Sequence, residues 1–89
     1  MLQRLSMTAA ILGAALALAQ TAAGADAQRG RGDFQSTCAG CHNSAAEVAG
    51  RAGGNSASNK ARRLDAFLFG HYAPNDRARA DIIAYLLSL

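Results

Sequence analysis

Residues 28–89 make up 62 of the 89 positions in this chain, and they include only thirteen large apolar side chains. A domain of fewer than about 70 residues rarely buries enough apolar surface to fold on its own. It usually needs a disulfide, a bound metal or a large apolar cofactor as a further source of stability. The sequence must therefore supply such an element, and this need constrains the fold more than any other feature.

Residues 1–27 have the pattern of a secretory signal peptide. A basic head ending at Arg4 precedes an apolar stretch over residues 5–19, and small residues then follow to Ala27. A positive head, an apolar middle and an Ala-x-Ala ending mark an exported precursor. The apolar stretch is shorter than the roughly 20 residues of a membrane-spanning helix, so an uncleaved anchor is the weaker alternative. We expect cleavage after Ala27, with Ala23 as the alternative, a periplasmic location and no membrane anchor in the mature chain.

The cysteines indicate what stabilises the remaining domain, residues 28–89. The only two, Cys38 and Cys41, are followed directly by His42. Cys-x-x-Cys-His is the pattern of c-type haem attachment. Two residues between the thiols let one helical turn present both sulfurs to one edge of a porphyrin, and the next residue places an imidazole beneath the iron. We therefore predict one covalent haem c attached at Cys38 and Cys41, with His42 as the proximal iron ligand.

Three other interpretations of the cysteine pair are weaker. A thioredoxin-like dithiol needs a βαβ setting, for which the sequence has no strand pattern. A zinc site needs four ligands, and only one cysteine pair and two histidines, His42 and His71, are present. A disulfide between Cys38 and Cys41 would close too small a loop to stabilise the domain much.

The apolar spacing predicts an all-α fold of three to four short helices around the haem. A first helix is expected over residues 30–39, and small polar residues predict a loop over 50–59. A second helix is expected over 60–69, with Asn59 as its N-cap and Gly70 at its end.

The last predicted helix extends to the C-terminus. Pro74 prevents the preceding helix from continuing, and Asn75 or Asp76 is suited to cap a new one. The apolar positions of this helix then follow the i, i+3, i+4, i+7 spacing of one helical face: Ile82, Tyr85, Leu86 and Leu89.

The mature chain resembles a shortened class I c-type cytochrome. In that family the first helix has a glycine, an aromatic residue four positions later and the first haem cysteine after four more; here these are Gly30, Phe34 and Cys38. The last helix of the family carries a run similar to Asp-Ile-Ile-Ala-Tyr-Leu, found here at residues 81–86. The resemblance covers both ends of the mature chain, and the haem motif is its most specific part.

The resemblance implies that the first and last helices cross at close range. The glycine would let the two backbones approach while the aromatic side chains pack together. We expect Gly30 and Phe34 to contact Ile82 and Tyr85.

Two features depart from the family pattern. The family commonly has a proline after the haem motif that helps to orient the proximal histidine, whereas no proline occurs between His42 and Ala73. The usual sixth iron ligand is a methionine, but the only methionines, Met1 and Met7, lie in the predicted signal peptide. Cleavage therefore excludes a Met/His haem.

His71 is the remaining histidine, and it lies broadly where the family keeps its distal ligand. We expect it to be the second axial ligand; Lys60, Asn75 or an open five-coordinate iron are the alternatives. Two strong ligands favour a one-electron carrier rather than an enzyme. An open distal site would instead favour a gas-binding or sensing haem protein, and a third possibility is a cytochrome subunit of a larger oxidoreductase.

Basic residues cluster on the predicted second helix. Lys60, Arg62 and Arg63 would form a docking patch for an acidic redox partner, or only a solvated helix face. The mature chain has eight Lys and Arg against five Asp and Glu, a net charge of +3, without a longer basic stripe. Nucleic-acid binding is therefore not expected.

Overall fold

The computed structural model describes residues 24–89, and within this range the chain forms four α-helices and no strand. The all-α prediction is thus confirmed for the described part of the chain. The predicted signal peptide lies outside it up to residue 23, as do Met1 and Met7. No helix between residues 24 and 89 is long and apolar enough to cross a membrane. The helices are α1 (Ala27–Thr37), α2 (Ala45–Arg51), α3 (Ala57–Phe69) and α4 (Asp76–Leu87).

Each helix begins at a polar side chain that accepts a hydrogen bond from a main-chain amide of its first turn. These N-cap residues are Asp26, Ser44, Ser56 and Asn75, in chain order. Such caps satisfy amides that have no partner inside the helix, and they define where the helices start. The prediction that Asn75 or Asp76 caps the last helix is confirmed, with Asn75 as the cap.

The structure corrects the other helix boundaries. The first helix starts three residues earlier and ends two earlier than predicted. The second predicted helix, now α3, begins at Ala57 with Ser56 as its cap rather than Asn59. Helix α2 was not predicted, and the expected loop over residues 50–59 is reduced to 52–56. These segments are rich in alanine, the best helix former, so two serine caps suffice to start helices there.

Helix α4 is the central element of the fold, since it contacts each of the other three helices, α1 most extensively. Its side chains Ile82, Ile83 and Leu86 are buried, together with Phe34 of α1 and with Leu64 and Leu68 of α3. This core is small. Several large side chains on its margin, among them Phe67 and Tyr72, stay exposed.

The predicted crossing of α1 and α4 is present. Gly30 is buried directly against the α4 backbone, where a Cβ atom would lie 1.9 Å from the carbonyl oxygen of Asp81 and 2.9 Å from the amide nitrogen of Ile82. One turn later, the Phe34 and Tyr85 rings pack with their centroids 5.9 Å apart. The missing side chain at Gly30 is therefore what allows the two helices to approach.

We expect Gly30→Ala to destabilise the protein although alanine favours helix. Propensity alone would stabilise the helix by about 1 kcal/mol. The new methyl group would instead overlap main-chain atoms that cannot rotate away, and overpacking costs about 1–3 kcal/mol or more. Denaturant unfolding of the variant gives the sign and size of the change.

Gly32→Ala is the matched control in the same helix, because nothing lies within 4 Å of a Cβ atom at that position. It should leave stability unchanged or raise it by up to about 1 kcal/mol. Equal effects at Gly30 and Gly32 would contradict a close crossing.

Candidate functional site

The Cys-x-x-Cys-His motif forms a tight turn directly after α1. The amide of Cys38 donates to the carbonyl of Phe34 at 2.8 Å and so ends the helix. The carbonyl of Cys38 then accepts from the amides of Cys41 at 3.1 Å and His42 at 3.0 Å. These bonds fix the positions of Cys41 and His42 relative to Cys38.

The two thiols differ in environment. Cys38 is half-buried against the core, and burial raises the pKa of its thiol because a thiolate is poorly solvated there. Cys41 is exposed, and neither sulfur is in a disulfide. Both thiols therefore remain available for a covalent partner.

The second histidine is held by the turn that follows α3. The amides of His71 and Ala73 both donate to the carbonyl of Leu68, each at 3.1 Å. This turn reverses the chain through Tyr72, whose φ of 65° lies in the left-handed region. A bulky residue rarely adopts that conformation. The predicted helix end at Gly70 is correct, but the left-handed residue is Tyr72, since Gly70 has a φ of −94°.

The fold brings His42 and His71 together although 29 positions separate them. Their ring centroids lie 6.2 Å apart, at an interplanar angle of 60°. A metal bound to one nitrogen of each ring, at the roughly 2.1 Å typical of metal–imidazole bonds, would put the centroids about 6 Å apart. The centroid spacing is compatible with one metal between the two rings.

Aromatic side chains flank His71 on two sides. The ring of Phe67 packs against it with a centroid distance of 4.6 Å, and the ring of Tyr72 lies edge-on at 4.9 Å. Phe67 and Tyr72 keep 60% and 75% of their surface exposed, so two aromatic rings beside His71 form an exposed apolar patch.

A mainly apolar cavity of about 520 Å³ lies beside these residues. Both cysteines and both histidines line it, and Leu64, Ile82 and Leu86 form part of its apolar wall. Its size is within the range of ligand and cofactor pockets. The cavity thus combines the covalent, coordinating and apolar groups that a haem requires.

A second cavity of about 730 Å³ shares His42, Leu64 and Phe67 with the first. Neither cysteine lines it, but Arg51 and Arg63 do. Guanidinium groups are suited to pair with carboxylates, and a haem carries two propionates. No sequence motif indicated Arg51 or Arg63 for this cavity, because their positions beside it depend on how the helices pack.

Arg79 fixes the segment that carries His71. Its side chain is buried, and its Nη1 donates to the main-chain carbonyls of Ala73 and Pro74, both at 3.2 Å. Its Nε and Nη2 donate to Asp65 and Asp76, each at 2.7 Å. Together these bonds tie the turn after α3 to both α3 and α4. No short motif in the sequence indicated this role.

We expect Arg79→Gln to loosen this turn, because a glutamine has two donors and a shorter reach. The amide of Ala73 should exchange its hydrogen faster and the melting temperature should fall. Hydrogen exchange resolved by residue measures the first effect. Arg77→Gln, at an exposed position of the same helix, is the control and should leave Ala73 unchanged; equal exchange in both variants would contradict the proposed tether.

The three basic residues predicted as a docking patch divide between two open recesses. Arg62 and Arg63 border one recess, whereas Lys60 borders another near the start of α3. Arg62 also donates to the side chain of Asn59. The partner prediction remains a hypothesis, and Lys60 contributes least to a shared surface.

Two further findings bear on the alternatives. Among residues 24–89 no group of three or more His, Cys, Asp or Glu side chains is placed to hold a metal ion. Comparisons with protein-family models, curated proteins and solved structures give no match to this chain.

Proposed function

We propose that this chain is an exported c-type cytochrome that carries one covalent haem and transfers single electrons in the periplasm. Cys38 and Cys41 hold the haem through thioether bonds, and His42 and His71 are the axial ligands of its iron. The fold would then be a shortened form of the class I cytochromes that the sequence resembles.

The arrangement of His42 and His71 carries this proposal. Their 6.2 Å centroid spacing fits one shared metal, and the cavity they line also includes both cysteine residues. The two rings come this close although the residues are 29 positions apart, and a shared metal would account for that proximity. The exposed rings of Phe67 and Tyr72 have a natural partner in the porphyrin edge.

The haem, when bound, supplies an iron that changes oxidation state by one electron. The protein residues determine what else that iron does. His42 and His71 would both hold the iron, in which case a small molecule could bind only by displacing one of them. A second imidazole in place of a thioether favours ferric iron, so the potential should lie below that of Met/His cytochromes. Arg51 and Arg63 line the second cavity and would be the partners of the propionates, with Arg51 exchanging or sharing its ion pair with Glu47.

Optical spectra of the reduced exported protein, recorded before and after CO is added, test the proposal. The protein must be produced together with a haem-attachment system. We expect haem that resists acid–acetone extraction and a low-spin spectrum that CO leaves unchanged.

Other outcomes would support the other candidates. A high-spin spectrum or ready CO binding would contradict electron transfer and indicate a gas-binding site. Co-purification with a stable partner would indicate a subunit of a larger oxidoreductase. Haem that is fully extractable would contradict the proposal as a whole.

A further inference from the structure

Asp81 is a carboxylate buried where α1 and α4 cross, with only 3% of its side chain exposed. Burying a carboxylate is costly unless donors satisfy its oxygens. Arg29 Nε donates to Oδ2 at 3.0 Å, and the main-chain amide of Asp26 donates to Oδ1 at 2.8 Å. The bond from Arg29, above all, holds the pKa of Asp81 below its usual value, although burial alone would raise it. Both donors come from the start of α1.

Asp26 also caps α1. Its carboxylate accepts from the amides of Gln28 at 2.8 Å and Arg29 at 3.0 Å. Its carbonyl accepts from the amide of Gly30 at 3.0 Å, at the point where α1 meets α4. Asp26 therefore caps α1 with its side chain and donates its main-chain amide to the buried carboxylate of Asp81 in α4.

The small residues that can precede a signal-peptidase cut include three alanines at alternate positions: Ala23, Ala25 and Ala27. Ala27 is the first residue of α1 and is partly buried, whereas Gly24 and Ala25 precede the helix and are exposed. A cut after Ala23 or Ala25 leaves the cap of α1 in the mature chain, whereas a cut after Ala27 removes it. The stability of the folded product therefore distinguishes sites that composition alone leaves nearly equal.

We infer that the mature protein keeps Asp26, so that the precursor is cut after Ala23 or Ala25 rather than after Ala27. A cut after Ala27 would remove the cap of α1 and one of the two donors to Asp81. A cut after Ala25 would turn the amide of Asp26 into an α-ammonium group at the same position, facing the buried carboxylate. The inference rests on the export that the proposed function includes.

The intact mass of the exported protein, purified from cells that express the full chain, tests the inference. Masses that correspond to a first residue of Gly24 or Asp26 are the expected result. A first residue of Gln28 would overturn the inference and leave the proposed function intact. A mass that still includes residues 1–23 would also overturn the inference, whereas a mass without the added haem would overturn the proposed function, so the two failures are distinguishable.

Ala27→Leu in the full chain gives a second test. A large residue directly before the cut blocks signal peptidase, so cleavage after Ala27 would stop or move in this variant. We expect processing at the unmutated position, with the mass changed only by the substitution. Gln28→Leu adds a leucine at the next position without altering any of the three sites, and it controls for the added bulk. Processing that fails in Ala27→Leu but not in Gln28→Leu would refute the inference.

Discussion

Cys41→Ala and His42→Ala should each leave little stable protein that carries haem. The described core contains few large side chains, and a mainly apolar cavity of about 520 Å³ lies next to it. If the haem fills that cavity, losing it removes much of the apolar contact in the domain. Loss of a native disulfide, a comparable covalent constraint, costs small secreted domains about 2–5 kcal/mol. Haem staining on denaturing gels and thermal unfolding measure the two effects.

Gly40→Ala is the matched control within the same motif. It changes a residue between the cysteines, where nothing lies within 4 Å of a Cβ atom. This variant should keep its haem and nearly all of its stability. Recovery of a folded, haem-free Cys41→Ala protein as stable as the unmutated one would contradict the role given to the haem.

His71→Ala should convert the low-spin haem to a high-spin form that binds CO when reduced. The substitution removes the imidazole that lies 6.2 Å from the His42 ring, and alanine has no group that can coordinate iron. The fold should survive, because His71 is only partly buried and outside the core. Spectra with and without CO, together with circular dichroism, measure ligation and folding separately.

Two further variants make this result specific. His71→Met should restore a low-spin haem with a higher potential, since a thioether favours ferrous iron more than an imidazole does. Lys60→Ala tests the alternative ligand, and we expect its spectrum to match that of the unmutated protein. An unchanged spectrum in His71→Ala with an altered one in Lys60→Ala would assign the iron to Lys60.

The sequence predicted a helix best where large apolar side chains recur every three to four residues. The last helix follows from apolar positions three and four residues apart, although the helix ends at Leu87 and leaves Leu89 exposed. Its contact with Gly30 and Phe34 was implied only by the resemblance to the class I cytochromes. Helix α2 was not predicted. Val48 is its only large apolar residue, so its sequence shows no apolar face at helical spacing. Its start depends on the serine cap at Ser44, and a serine before alanines is equally common in loops.

The candidate site was predictable only in part. Cys38, Cys41 and His42 are adjacent in sequence, so a motif can identify them. The position of His71 opposite His42 depends on the left-handed turn at Tyr72 and on the bonds from Arg79. Neither feature can be predicted from the neighbouring residues. Tyrosine is an unusual residue for a left-handed turn, and Arg79 reaches the turn from the following helix.

The crossing at Gly30 also determines the order in which the domain can assemble. The hydrogen bond from the main-chain amide of Asp26 to the side-chain carboxylate of Asp81 joins positions 55 residues apart, so it cannot form until nearly the whole chain is available. Contacts between distant parts of a chain form late, since a long loop must close first. The Cys-x-x-Cys-His motif directly follows α1, which can pack against α4 only after this loop has closed. If a haem is attached as proposed, attachment would take place on an open chain with accessible thiols, before the last helix closes the domain.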